Sequence, residues 1–218
     1  MADQIVSLDF NKIKDNSEAT IIKYGGKINR RLPILEYAGV RNIKELIYRA
    51  TIMAGMIYIA FEAPTKDIGD WIKNQGLYDY VSEWEKSILN KNEKFVTKTE
   101  KLQLKWYVES LWTIVWILGI NNDFKFLEPV GDNLIQMVPD IKKNENFTVL
   151  ERSIRLKTDI EIYNMTDLYY RTHWYVIDSR LHGIKLNSFN EGLVLERRKV
   201  LEWVINPSDD WDDIDLST

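Results

Sequence analysis

The stretch TKTEKLQLKWYVESLWTIVWILG, residues 97–119, decides how the rest of the chain is read. Thr97 followed by Glu100 has the spacing of a capping box, in which two side chains satisfy backbone N–H groups that a helix start leaves open. Leu104, Val108, Leu111, Val115 and Leu118 then recur at threes and fours, and Gly119 follows as a stop. Trp106, Trp112, Trp116 and Ile117 fill the other sides, which leaves the helix apolar nearly all round. A helix with so few wet positions belongs at the centre of a domain.

The flanking sequence supplies the helices that would cover it. Asn42 and Glu45 repeat the box spacing ahead of Ile43, Leu46, Ile47, Ala50, Met53, Ala54, Ile57 and Phe61, which predicts a helix over 42–62 ended by Pro64. Thr65 is expected to cap a short helix through Trp71 that stops near Gly76, and Val81, Trp84 and Ile88 mark another short one. Residues 132–137 read as a short helix before Pro139, and 151–163 as a separate helix spaced by Ile154, Thr158 and Ile162. Asn164 or Thr166 would cap the next, through Arg180 to Gly183, and Ser188 with Glu191 a last one over 189–205, halted by Pro207. Gly25 and Gly26 read as a turn or a helix stop, not a phosphate loop. Val6, Leu8 and Phe10 alternate like a strand, and Phe147 with Val149 offers a weak second one, so one short β-hairpin is possible. The expected fold is all-α, a single domain over residues 1–208 with about six to eight helices around the Trp-rich one, followed by an acidic tail at 209–218.

Charge and composition narrow the function classes. The net charge of -4 lies in the tail, where Asp209, Asp210, Asp212, Asp213 and Asp215 meet no base, so 29 bases and 28 acids remain before it. A near-neutral body offers no basic stripe for nucleic acid. With no cysteine and two histidines, thiol chemistry is excluded and no metal or cofactor is expected. The uncharged runs 50–61 and 110–122 are too short to cross a bilayer, so no membrane role is expected. MADQIVSLDF shows no basic-then-apolar leader pattern, which makes cytoplasmic the expected location, and the richness in Ile, Lys and Asn suggests an AT-rich bacterial or phage genome.

Five segments carry a resemblance: RNIKELIYRA (41–50), WYVESLWTIVWILG (106–119), RLKTDIEIYNMTDLYYRTHWYVIDSRLHG (155–183), EGLVLERRKVLEW (191–203) and the closing WDDIDLST. Together they resemble a bacterial family defined only as domain of unknown function 4272, most specifically in D-x-x-Y-R-x-H-W at Asp167–Trp174 combined with W-D-D at Trp211–Asp213. The resemblance implies a mostly helical single domain and brings no activity with it.

Chemistry must then be sought in polar residues set among apolar ones. Asp167, Arg171, Asp178 and His182 share one face of their helix, which reads as solvated, with Asp167 and Arg171 an ordinary surface pair. His173 sits on the aromatic face, as a shielded proton carrier or as a core histidine hydrogen-bonded to a neighbour. Arg180 on that face and Arg197 among Leu193, Val200, Leu201 and Val204 need a carboxylate if buried, and Glu109 is the only acid on the 106–118 helix. Glu109, Arg171, His173, Arg180 and Arg197 are therefore the candidate polar cluster, either a ligand pocket or a clamp between helices. No G-x-G-x-x-G, G-x-S-x-G or H-E-x-x-H is present, and no catalytic residue can be assigned. The expected function is a non-catalytic module that binds another protein, such as an immunity or inhibitor protein acting on a toxin or effector. Asp209, Asp210, Trp211, Asp212 and Asp213 would meet a basic partner. The alternative is an enzyme or small-ligand sensor with its pocket at His173, Arg180, Arg197 and Glu109.

Overall fold

In the computed structural model, which describes residues 8–147 and 154–218, seven α-helices are present among the described residues and there is no strand. Thr97 and Glu100 close the expected capping box at the head of α5 (Lys98–Ile117), and Gly119 ends it in the left-handed region at φ +67°. A side chain at Gly119 would place its Cβ 1.9 Å from the Arg155 carbonyl oxygen, so only glycine lets residues 155–157 pair with the open carbonyls of the helix end. That pairing runs from Arg155 N to Leu118 O and from Lys157 N to Ile117 O.

The other long helices are α2 (Ile43–Ala60), α6 (Asp159–Leu181) and α7 (Glu191–Ile205). α5 packs against α2 on one side and α7 on the other, while α6 packs chiefly on α7 and on α1 (Phe10–Lys23). The Trp-rich helix is thus central as expected, but α7 shares that position, because its buried residues run round it from Leu193 to Ile205. The short α3 (Thr65–Asn74) packs on α2, and α4 (Glu83–Leu89) packs on α3.

Several local expectations are corrected. Phe10 opens α1 instead of closing a strand, because Asp9 caps the turn by accepting from Lys12 N; Val6 and Val149 lie outside the described residues. Thr158 and Glu161 form a capping box that starts α6, so Asn164 and Thr166 are interior residues of one 23-residue helix, and residues 154–158 of the expected 151–163 helix are not helical. Residues 151–153 lie outside the described residues. Asn42 caps α2 through Lys44 N while Glu45 turns to Arg41, and Asn190, not Ser188, caps α7.

Between α1 and α2 the chain has no regular structure and is tied down by side chains. Tyr163 donates to Leu35 O, Arg171 to Pro33 O, and Lys14 to Arg30 O and Leu32 O, while Ala38 N and Arg41 N pair with the carbonyls of Ile205 and Val204 at the end of α7. The segment is largely exposed apart from Leu32 and Arg41, and these anchors are what hold it against the body.

Candidate functional site

Glu109 and Arg197 meet in the core. Arg197 is fully buried and donates from Nε and Nη2 to Glu109 Oε2 at 2.9 and 2.7 Å. Its remaining donors reach Lys125 O, Tyr169 Oη and Glu128 O, while Glu109 Oε1 accepts from Val130 N at 2.9 Å. All five guanidinium N–H groups are engaged, so no donor is left for a ligand. The Phe124 ring lies 4.6 Å from the guanidinium carbon, and burial pushes the Tyr169 phenol up to about 12 against the opposing pull of Arg197. The arrangement staples the loop after α5 to α5, α6 and α7.

Of the two arginines considered for Glu109, only Arg197 reaches it. Arg180 is 61% exposed and pairs with Glu191 at 2.6 Å, because it lies in the last turn of α6 where the helix runs past its packing partners. Asp167 and Arg171 are also corrected. They are 1% and 2% exposed and form a two-pronged pair at 2.9 and 2.8 Å, since α1 and the segment before α2 cover the face that reads as wet. Glu18 of α1 lies 4.0 Å from Arg171. The Asp178 and His182 end of that face does meet solvent.

His173 is buried and accepts at Nδ1 from Arg198. Burial first, then the Arg198 and Arg180 cations, lowers its pKa to about 4, so the imidazole is neutral at ordinary pH. Arg198 also pairs with Glu202, stacks 5.0 Å over Tyr170, and donates to Leu216 O and Ser217 O. Burial raises the Glu202 carboxyl despite that guanidinium. The candidates are therefore held in separate partnerships: Glu109 with Arg197, Arg171 with Asp167, His173 with Arg198 and Arg180 with Glu191.

A cleft of about 480 Å³ lies elsewhere, at the amino ends of α2 and α4. Its lining includes Asp79, Glu83, Asp209, Asp210, Asp212 and Asp213, with Trp211, Arg41 and Arg49 among the other residues. Residues 209–217, within the acidic tail of the sequence reading, are held against the body by Arg41 and Arg198. Arg41 donates to the carbonyls of Asn206 and Asp209 at 2.8 Å while lying 4.1 Å from the Trp203 ring centre. Trp211 is 6% exposed, with the Trp203 and Tyr107 rings at 5.6 and 6.4 Å and the cations of Arg49 and Lys199 over it at 4.9 and 4.4 Å. Asp212 accepts from Trp84 N at 3.2 Å. Under this wall Arg49 pairs with fully buried Glu85, and burial with the Glu85 charge drives the Tyr107 phenol well up. Burial lowers the Lys199 amine.

The family model described as domain of unknown function (DUF4272) matches residues 13–214. The chain belongs to this family. No curated protein and no solved structure matches it. The DUF4272 match runs from within α1 to within the folded-back segment, so it covers the Trp211 wall as well as the core clamps. In this DUF4272 chain no cluster of three or more potential metal ligands occurs among the described residues, and no described helix is long and apolar enough to cross a membrane.

Sequence reasoning missed Arg41, Arg49, Glu85, Arg198 and Glu202. Arg49 had a signal, since it falls between Leu46 and Met53 on a helix otherwise buried all round. Glu85 had another, as third residue of the Ser82 capping box. Arg198 had none that separates it from Arg197.

Proposed function

We propose that this protein is a non-catalytic protein-binding module whose docking face is the acidic cleft at the amino ends of α2 and α4, and that it acts as an immunity or inhibitor protein on a basic effector. The observation that carries this reading is the placement of the five residues from Asp209 to Asp213. Their four carboxylates line the cleft together with Asp79 and Glu83, anchored at the Asp209 carbonyl and the Asp212 carboxylate, with Lys86 paired to Glu83 in the same lining, so they form a preset acidic surface and not a dispersed tail. Charge set in a fixed frame steers a partner and fixes its register.

The enzyme alternative loses support from the same geometry. A catalytic pocket needs polar groups with unfilled hydrogen-bonding capacity facing an opening. Arg197 and Glu109 are filled by protein atoms, His173 is engaged at Nδ1 by Arg198, and Arg180 is engaged by Glu191 at the surface.

The test neutralises the rim without touching its anchors. Immobilised wild type is compared with an Asp79→Asn, Glu83→Gln, Asp210→Asn, Asp213→Asn variant in capturing proteins of the native host. A specific partner retained by wild type, released by raised salt and lost by the folded variant is expected. A partner retained equally by both would place binding on another face and end this reading.

A further inference from the structure

We infer that the surface where the end of α2 meets the start of α5 docks on an anionic lipid surface, with phenylalanine and leucine entering the headgroup layer and lysine meeting the lipid charge. Residues 91–105, KNEKFVTKTEKLQLK, carry five lysines against two glutamates and no arginine. Lys91 pairs with Glu100 and Lys101 with Glu62, while Lys94, Lys98 and Lys105 are exposed and form no ion pair with a described residue. Lys98, Lys101, Leu102 and Lys105 fall within about 100° of one another round α5, so they share a face. The Lys105 amine lies 5.8 Å from the Phe61 ring centre, and the pair of Lys101 with Glu62 at 2.6 Å joins the same part of α5 to the end of α2. Phe61 is 66% exposed, Leu102 58%, and Phe95, in the turn that leads into α5, 74%. Of the seven phenylalanines, only Phe61 and Phe95 are exposed.

The chemistry separates a lipid surface from a protein partner. Protein interfaces favour arginine and deplete lysine, whereas lysine stems lie along apolar surface while their amines stay in water, as they do at a bilayer interface. Phenylalanine and leucine set among lysines is the composition that binds at the headgroup boundary. Placement agrees with this. The acidic cleft uses the first turns of α2, up to Arg49, and the patch begins at Phe61, about 18 Å further along the helix axis. An adsorbed molecule therefore holds its cleft more than a Debye length, about 8 Å at physiological salt, from the lipid charge. The sequence expectation of no membrane role rests on the length of apolar runs, which governs crossing a bilayer and not adsorption to it. No described helix is long and apolar enough to cross, so the contact is at the surface.

The test is co-sedimentation of the full chain with vesicles of phosphatidylcholine containing about one third phosphatidylserine, set against vesicles of phosphatidylcholine alone. Binding to the anionic vesicles only, falling with added salt, is expected. Lys94→Gln, Lys98→Gln and Lys105→Gln together should weaken it about a hundredfold, at about fivefold for each lysine near the surface. Phe61→Ala, Phe95→Ala and Leu102→Ala together should weaken it at least about tenfold. Both variants change exposed side chains, and circular dichroism matching wild type checks that they fold. No sedimentation with millimolar anionic lipid overturns the inference, and so does equal binding by wild type and the lysine variant. It is also overturned if wild type ignores the vesicles but assembles in light scattering at low salt while the lysine variant does not, since the occupant would then be the acidic cleft of a second copy.

Discussion

Arg197 and Arg198 are adjacent on α7 and equally buried, yet they are held by different kinds of structure. Arg197 is bound by Glu109 of α5, Tyr169 of α6 and the loop carbonyls of Lys125 and Glu128, so its partners come from three parts of the body. Arg198 is bound by Glu202 of its own helix, by His173 and by the carbonyls of Leu216 and Ser217. The first arrangement locks elements that must be together for the core to exist. The second couples the core to a segment with no regular structure, and a neutral histidine sits in the linkage.

Breaking the first arrangement should cost most. Glu109→Ala leaves the Arg197 guanidinium without a counter-charge in the core, and the expected loss is about 3 to 5 kcal/mol in urea melts. A shift under about 1 kcal/mol would mean that the carbonyl acceptors suffice and that Glu109 is not the element holding α5 to α7. The buried pair of Asp167 with Arg171 belongs to the same class, which reverses its reading as a surface bridge.

The second arrangement should show itself through pH. Folding holds His173 near 4 against 6.5 in an unfolded chain, so between those values the unfolded state binds a proton that the native state refuses. Stability from this group is complete above pH 6.5 and is lost as pH falls toward 4, by at most about 3 kcal/mol. Glu202, whose carboxyl is raised by burial, works in the opposite sense, so the readout is the difference between wild type and His173→Gln across pH 4 to 7. The variant should show the shallower loss, and identical slopes would remove His173 from the linkage.

The smallest effect sharpens the comparison from outside. Arg180→Ala removes an exposed partner of Glu191 and should change stability by less than about 1 kcal/mol, checked by thermal melts. A loss matching that of Glu109→Ala would mean that exposure fails to rank these arginines.

What was legible in the sequence follows the same division. Apolar periodicity and the Thr97 box placed α5, and the lone acid on it pointed to Glu109, because a carboxylate among tryptophans has to be paired. The α6 face carrying Asp167 and Arg171 misled, since helical spacing reports which residues share a side and says nothing of a later segment laid over it. Residues 27–40 and 209–217 form no helix, so nothing periodic announces that they cover polar side chains. Residues 209–217 were visible only as a charge run, and one anchor, Arg41, lies far from them in the chain.

The packing of α1 carries a consequence for synthesis. α1 ends at Lys23 and finds its main partner in α6, which starts at Asp159. At roughly 5 to 20 residues per second, about 7 to 27 s pass on the ribosome between the completion of α1 and the first turn of α6. Through that interval Ile13 and Ile21 have no place to dock on α6, and α1 waits on the last third of the chain for its partner.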